Sequence, residues 1–230
     1  MRLAIIVPVL EEAARIESCL QALAPLRQRG AHVIVTDGGS RDDTVRKAAP
    51  LCDHVVSAPR GRALQMNAGA RAELARAADV LLFLHADASL PPEADRLVFQ
   101  ALSRPGARWG RFDVRLQGRS HGLPLVALLM NLRSRLTGIC TGDQAIFVEQ
   151  GSFLALQGFA AIELMEDVEF SRRARHLSWP VAVRPPVTAS ARRWDQAGLV
   201  STVLLMWWLR LAYYLGADPR ALARRYRNAR

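Results

Sequence analysis

Leu3-Ala4-Ile5-Ile6-Val7-Pro8-Val9-Leu10-Glu11-Glu12 opens with a continuous apolar run over Leu3–Val9, ended by Pro8 and an acidic pair. An unbroken apolar run of this length, without polar alternation, predicts a strand buried on both faces. Downstream, Ile16, Leu20 and Leu23 recur at helical spacing, and Gly30 closes that helix. His32–Thr36 reads as a second strand ending on Asp37-Gly38-Gly39-Ser40, and Asp42-Asp43 cap a short helix through Ala49. His54–Ser57 is a weaker third strand. Gly61 to Ala77 is Ala-rich and helical, and Val80–Leu84 is a fourth strand ending on His85-Ala86-Asp87. Strands alternating with helices predict an α/β fold: a doubly wound, mostly parallel sheet with helices on both faces.

The second half is less regular. A helix is predicted from Pro91-Pro92 to Leu102, a strand over Gly110–Leu116, and an apolar helix over Leu123–Leu136. A strand over Gln144–Val148 and a polar helix over Glu166–Leu177 follow, then a long apolar helix over Leu199–Leu215 and a basic tail. No internal repeat, low-complexity tract or interdomain linker interrupts the chain. Its 230 residues suit one large domain, and with 50% hydrophobic and 23% charged residues it is not a disordered chain. The expected division is a main domain over 1–197 and a helical extension over 198–230.

Thirty-one Lys+Arg against 21 Asp+Glu give a net charge of +10 and a pI near 10.9, and Lys47 is the single lysine. That balance suits polyanions, whether nucleic acid, phosphates or an anionic membrane, and equally suits arginines scattered over a solvated surface. Cys19, Cys52 and Cys140 are far apart and form neither a zinc spacing nor a disulfide framework, which fits a reducing compartment. With no signal-peptide layout at the start, a cytoplasmic location is expected.

In an open parallel sheet, ligands bind beyond the carboxyl ends of the strands. Three predicted strand ends carry acids: Glu11-Glu12, Asp37 and Asp87. Each alone reads as a cap or turn former; together they suit a divalent cation, hydroxyl recognition, or both. Arg60-Gly61-Arg62-Ala63 before a helix start offers glycine for close approach and two guanidiniums for phosphate oxygens, or else is an ordinary basic turn. No P-loop, dinucleotide Gly-x-Gly-x-x-Gly turn, nucleophile elbow or His-Glu-x-x-His helix occurs.

In this order the motifs resemble family 2 glycosyltransferases, which have the Rossmann-like GT-A fold. Ile6–Glu12 resembles the family's opening strand with its acidic nucleotide contact, which implicates Pro8 and Glu11. Thr36–Asp42 resembles its Asp-Asp-Gly-Ser-x-Asp element, with Thr36 replacing the first aspartate and Asp37 and Gly39 retained. Arg60–Gly69 is similar to the Gly-rich turn and Asn-x-Gly helix, implicating Arg60, Gly61, Arg62 and Asn67. His85-Ala86-Asp87 occupies the place of the Asp-x-Asp metal motif, so a cation would rest mainly on Asp87 with His85 as a second ligand. Gly142-Asp143-Gln144 resembles the acceptor-side segment, and Met165-Glu166-Asp167 the Glu-Asp pair whose aspartate is the catalytic base, Asp167 beside Glu166. Ser190–Trp194 is similar to the Gln-x-x-Arg-Trp motif of processive members, with Arg193 and Trp194 retained. Ser190 replaces its Gln, so no polymerase is expected. The match spans roughly residues 3 to 195, and small bacterial members found beside radical-SAM and selenium-related genes are the subgroup it is most similar to.

The resemblance implies transfer of a sugar from a nucleotide-diphosphate sugar to an acceptor hydroxyl with inversion, assisted by Mg²⁺ or Mn²⁺ on the diphosphate. Asp37 and Glu11 would hold the nucleoside, and Arg60, Arg62 or Arg193 would add to the neutralisation of phosphate charge. The acceptor is unnamed, a lipid-linked one included. Leu199–Leu215 contains Trp207, Trp208, Tyr213 and Tyr214 with Arg210 among them, and Arg220, Arg224, Arg225, Arg227 and Arg230 follow; the segment reads either as an interfacial helix on an anionic membrane or as a core or dimer helix packed on the domain, since a central arginine is costly in a spanning one. Two other readings share some of these features. A catalytically silent nucleotide-sugar binder would account for His85, and a nucleic-acid binder for the pI, though the latter explains neither the acidic strand ends nor the Glu-Asp pair and no nucleic acid is expected as partner.

Overall fold

The structure, a computed structural model, describes residues 1–228, apart from the side chains of Arg193, Arg227 and Asn228. Its sheet comprises β1 (Leu3–Val9), β2 (His32–Asp37), β3 (His54–Ser57), β4 (Val80–Phe83), β5 (Ala88–Ser89), β6 (Trp109–Gln117), β7 (Phe147–Glu149) and β8 (Val181–Ser190). Their order is β3-β2-β1-β4-β7-β6-β8-β5. β1 is central and parallel to β2 and β4 on either side, and β3 continues the parallel set. β7 runs antiparallel between β4 and β6, which restores β6 and β8 to the common direction. The fold is α/β with helices on both faces.

The reason for the unbroken apolar run in β1 is visible in its packing. Leu3, Ile5, Val7 and Val9 enter one core with Val33, Val35, Val80 and Leu82, whereas Ala4 and Ile6 enter the core on the other face with Ile34, Leu81 and Phe83. A strand with a core on each side has no polar face to show.

Several boundaries differ from the sequence expectation. The helix expected over Gly61–Ala77 is two, Arg62–Arg71 and Glu73–Arg76, because Ala72 is extended at ψ 149°. The strand expected over Gln144–Val148 begins only at Phe147; Gly142–Gln144 is instead a 3-10 turn, in which the Gln144 N–H donates to Thr141 O at 2.9 Å and the Gln144 Oε1 accepts from the Thr141 N–H at 3.1 Å. The helix expected to reach Leu177 stops at Ala174. β8, ten residues long, had no counterpart in the expectation, since Pro185-Pro186 within it reads as a break; a register shift opposite Phe112 and Val114 accommodates the pair.

The chain after β8 forms helices Arg192–Ala197, Leu199–Tyr214 and Pro219–Asn228. Leu209 and Leu222 from the last two are buried against Ile139, Met165 and Val168, with Tyr213 and Tyr226 around them. The extension therefore packs on the turn that leads into the Glu166–Ala174 helix. Among the described residues no helix is long and apolar enough to cross a membrane.

Gly69 lets the Arg62–Arg71 helix approach the sheet: a Cβ there would lie 2.6 Å from the Ile6 Cγ2 and 2.7 Å from the Thr36 Cγ2, both fully buried. Alanine would gain ~1 kcal/mol in helix propensity, but overpacking a close-packed interior costs ~1–3 kcal/mol. Gly69→Ala is expected to lower the urea midpoint at unchanged slope; a rise in the midpoint would show that the helix can back away.

Candidate active site

The ends of β1, β2 and β4 lie side by side, and their following loops are laced together. The Glu11 N–H donates to the Ser40 Oγ at 2.9 Å and the Glu12 N–H to the Thr44 Oγ1 at 2.8 Å. In return the Arg41 N–H donates to the Glu11 Oε1 at 2.8 Å. The buried Asp37 carboxylate accepts from the N–H groups of Gly39 and Ser40 at 3.0–3.1 Å. Glu11 and Asp37 thus shape the loop floor themselves. Pro8 sits opposite Thr36 near the end of β1, and Arg60 is exposed just before Gly61, whose φ of 142° turns the chain into the helix.

Behind this floor the amide of Gln65 is buried, donating to Val9 O at 2.6 Å and Thr36 O at 2.8 Å. This residue was absent from the sequence reading; its only signal was a polar side chain one helical turn ahead of Gly69 in an Ala-rich helix. Asn67, expected at the nucleotide, spends both ends of its amide on the backbone of Phe159, at 2.8 and 2.9 Å.

The other wall is acidic. Glu166 and Asp167 open a helix after Met165, whose φ is 70°. The Asp167 Oδ2 accepts from the Gly142 N–H at 2.8 Å and its Oδ1 from the Val168 N–H at 2.7 Å, so the carboxylate is oriented by backbone from two segments. Glu166 is buried, and its ion-pair partner is Arg62, 3.5 Å away and reaching over from the opposite helix. Burial pushes the Glu166 carboxyl up; Arg62 pulls it down and Asp167 pushes it up again, and the net shift is upward. His85 lies against Gly142, and its Nδ1 is 3.2 Å from the Asp143 Oδ1. Burial also works to raise the Asp143 carboxyl, but the hydrogen bond and charge of His85, with Arg62 and Arg210, hold it below its ordinary value. The His85 Nε2 is buried without a partner among the described residues, beside a cavity of about 10 Å³ shared with Arg62, Gly142, Glu166 and Asp167. That volume is roughly the room of one water.

Two arginines that the sequence did not single out for the site belong to this wall. Burial lowers the Arg133 guanidinium to about 10, with Arg210 adding to the fall. Arg133 donates to Ile139 O at 3.2 Å, yet its Nε and Nη2 are buried unpartnered among the described residues. Of the other expected residues, Gln144 is buried in its own turn, bonded to the Thr141 N–H and the Asn131 Oδ1. Asp87 is exposed, and no hydrogen bond or ion pair engages its carboxylate among the described residues; the Ser190 N–H donates to its backbone oxygen, which brings the Ser190–Trp194 segment alongside. Trp194 is half-buried against the main core, and the Arg193 side chain lies outside the described residues. Among the described residues no group of three or more His, Cys, Asp or Glu side chains could by itself hold a metal. A roomier cavity of about 400 Å³, lined by Arg104, Arg111, Arg135 and Trp179, opens at the starts of β6 and β8, the sheet edge opposite these carboxylates.

A central parallel set, a reversed β7 and a polar crevice at the carboxyl ends of β1, β2 and β4 define the GT-A class of glycosyltransferase. The chain belongs to Glycosyl transferase family 2, whose family model matches residues 4–157. Glucosyl-3-phosphoglycerate synthase from Mycobacterium tuberculosis, in complex with Mn²⁺, uridine diphosphate and phosphoglyceric acid, is a similar solved structure: 20% identity over 94% of this chain and 79% of that one, with a TM-score of 0.63. S. aureus TarS 1-349 in complex with UDP is similar at 16% identity over 83% of this chain and 61% of that one, with a TM-score of 0.62. No curated protein matches the chain.

The upward shift of Glu166 carries a signed consequence. Its folded value lies above the ordinary 4.5, so its contribution to stability is fully present at pH below that value and is lost as pH rises through the folded one. The difference in melting temperature, Glu166→Gln minus parent, is expected to grow as pH is raised from about 4 towards neutrality. A difference that is flat across this range would show that Arg62 neutralises the carboxylate completely.

Proposed function

We propose that this protein transfers a sugar from a nucleoside-diphosphate donor to an acceptor hydroxyl with inversion, and that Asp167 is the general base. One observation carries the reading: a carboxylate aimed by two backbone N–H groups into a small cavity that it shares with His85, two residues before an Asp87 whose carboxylate is unengaged among the described residues. In the complexes named above, the related folds hold uridine diphosphate, and one also holds Mn²⁺. In our reading the loops after β1 and β2, braced by Glu11 and Asp37, receive the nucleoside through their backbone and remaining oxygen lone pairs. Arg60 and Arg62 stand at the turn and helix start beside them and meet the phosphates. The Asp143–His85 pair and Gly142 line the acceptor side, and Glu166, buried against Arg62 and held protonated more readily than an ordinary glutamate, is the less available carboxylate, which leaves the backbone-oriented Asp167 to face the acceptor.

Asp87 suits a divalent ion that draws most of its ligands from diphosphate and water, which is how Mg²⁺ is commonly held. When bound, such an ion neutralises charge growing on the leaving diphosphate. His85 contributes less to that ion in this reading, because its Nδ1 is committed to Asp143 and its Nε2 is buried.

Two measurements test the assignment. Asp167→Asn should slow transfer by about 10²-fold or more, the low end for general-base help, with donor affinity unchanged and an inverted anomer as product. Full turnover per folded molecule, accompanied by a stability loss of ~0.5–2 kcal/mol, would instead mark Asp167 as a helix cap. Calorimetry on Asp87→Ala should lose the enhancement by Mn²⁺ of nucleotide-sugar binding; an undiminished enhancement removes Asp87 from the metal site.

A further inference from the structure

Eleven of the sixteen exposed large apolar side chains among the described residues lie on two helices, Leu123–Thr137 and Leu199–Tyr214. On the first, Leu125, Leu129, Leu132 and Leu136 form a stripe at helical spacing, with Leu128 beside it. On the second, Val200, Leu204, Trp207, Leu211 and Tyr214 repeat the pattern, with Trp208 beside it. Exposure is high, reaching 62% at Trp207 and 71% at Leu136. The opposite sides of both helices are used: Val126, Ala127 and Ser134 are buried on the first, Thr202 and Leu209 on the second. The stripes are therefore second apolar faces left over after folding.

The two helices lie together. A Cβ on Gly122 would be 2.9 Å from the Leu199 Cδ1 at their starts, and Arg210 is near enough to Arg133 to depress it eleven residues further along each. At 15 and 16 residues, each runs about 22–24 Å. Their surroundings are one-sided in charge: segments 118–137 and 191–226 contain nine arginines and two aspartates. Both aspartates are engaged by backbone, Asp195 by the Arg119 N–H and Asp218 by the Arg220 N–H. Arg225 places its guanidinium 4.2 Å from the centroid of the Trp208 ring, so a cation sits on the aromatic edge of the face.

We propose that this two-helix face is a docking surface for an anionic lipid bilayer, lying in the plane of the membrane interface. Leucines with Trp and Tyr suit the boundary between acyl chains and headgroups, and the arginines suit lipid phosphates. A second copy of the chain fits less well. A two-fold contact through this face would set an arginine rim against an arginine rim, with no acidic patch to receive it. The same helix that carries Trp207 buries Leu209 against Met165 and brings Arg210 towards Asp143. Docking therefore brings the acceptor side of the crevice close to the lipid. That consequence rests on the proposed glycosyl transfer; the docking itself does not.

Flotation of the full chain with vesicles, in the absence of donor and metal, tests the proposal. Cofloatation is expected with phosphatidylglycerol–phosphatidylcholine vesicles, weakly with phosphatidylcholine alone, and less at high salt. Leu125→Glu/Leu129→Glu on one helix and Trp207→Ser/Leu211→Ser on the other should each weaken the anionic binding about tenfold or more. All four sites are exposed, so melting temperature and UDP affinity should match the parent. The proposal is overturned if the parent does not float, if it floats with both vesicles alike, or if both variants float as the parent does. It is equally overturned if the parent is a dimer that the variants dissociate and that ignores vesicles. Vesicle binding without any UDP binding would count against the glycosyltransferase reading alone.

Discussion

Where β1 and β2 end, the ladder still reaches Val9 O, which accepts the Gly38 N–H at 3.0 Å, and beside it lies Thr36 O in the interior. The Gln65 amide donates to both, and through that one buried group the Arg62–Arg71 helix is locked to the strand ends. A buried amide nitrogen left without acceptors costs roughly 1–3 kcal/mol, and Gln65 finds its two acceptors only here, so the helix is held in one place along its axis as well as in depth. Much of the crevice follows from this. Gly69 allows the close approach, Arg62 is brought to face Glu166, and Asn67 reaches the Phe159 backbone on the far side.

The far wall depends on that anchoring because it concentrates charge. Asp143, Glu166 and Asp167 approach one another from two segments, and Arg62, Arg133 and Arg210 approach them from three helices. A buried carboxylate such as Glu166 is tolerable only with a cation or a proton. Residues with strained backbone flank the same region: Glu11, Ala145 and Met165, all with positive φ, sit at the first loop, the acceptor-side turn and the Glu-Asp helix start. Such strain persists only where surrounding contacts over-determine it, and it clusters where side chains must be aimed.

The parallel half of the sheet was legible because burial on both faces leaves a pattern in the residues themselves, as in Leu3–Val9 and Val80–Leu84. The motif positions were legible too, since ligands in such sheets gather at strand ends. Other features were not. Pro185-Pro186 concealed β8, because its tolerance depends on a bulge in β8 that sets Arg184-Pro185-Pro186 opposite the single residue Asp113 of β6. Gln144 looked like a strand start or a site residue, and it is the cap of its own turn. Nothing local marks Arg133 or Arg210, each set in an apolar helix, for the site; their convergence on Asp143 and Asp167 depends on how the C-terminal helices pack.

From its residues alone this chain declares an α/β sheet, the parallel strands β1 to β4, and the family to which its ordered motifs belong. Periodicity and local spacing carry that information, since each is a property of neighbouring positions. Which carboxylate is buried and which is oriented, that Asn67 serves a loop, and that two helices align their spare apolar stripes are long-range matters. They depend on segments separated by tens of residues meeting at hydrogen-bond distance, and no local pattern encodes such a meeting.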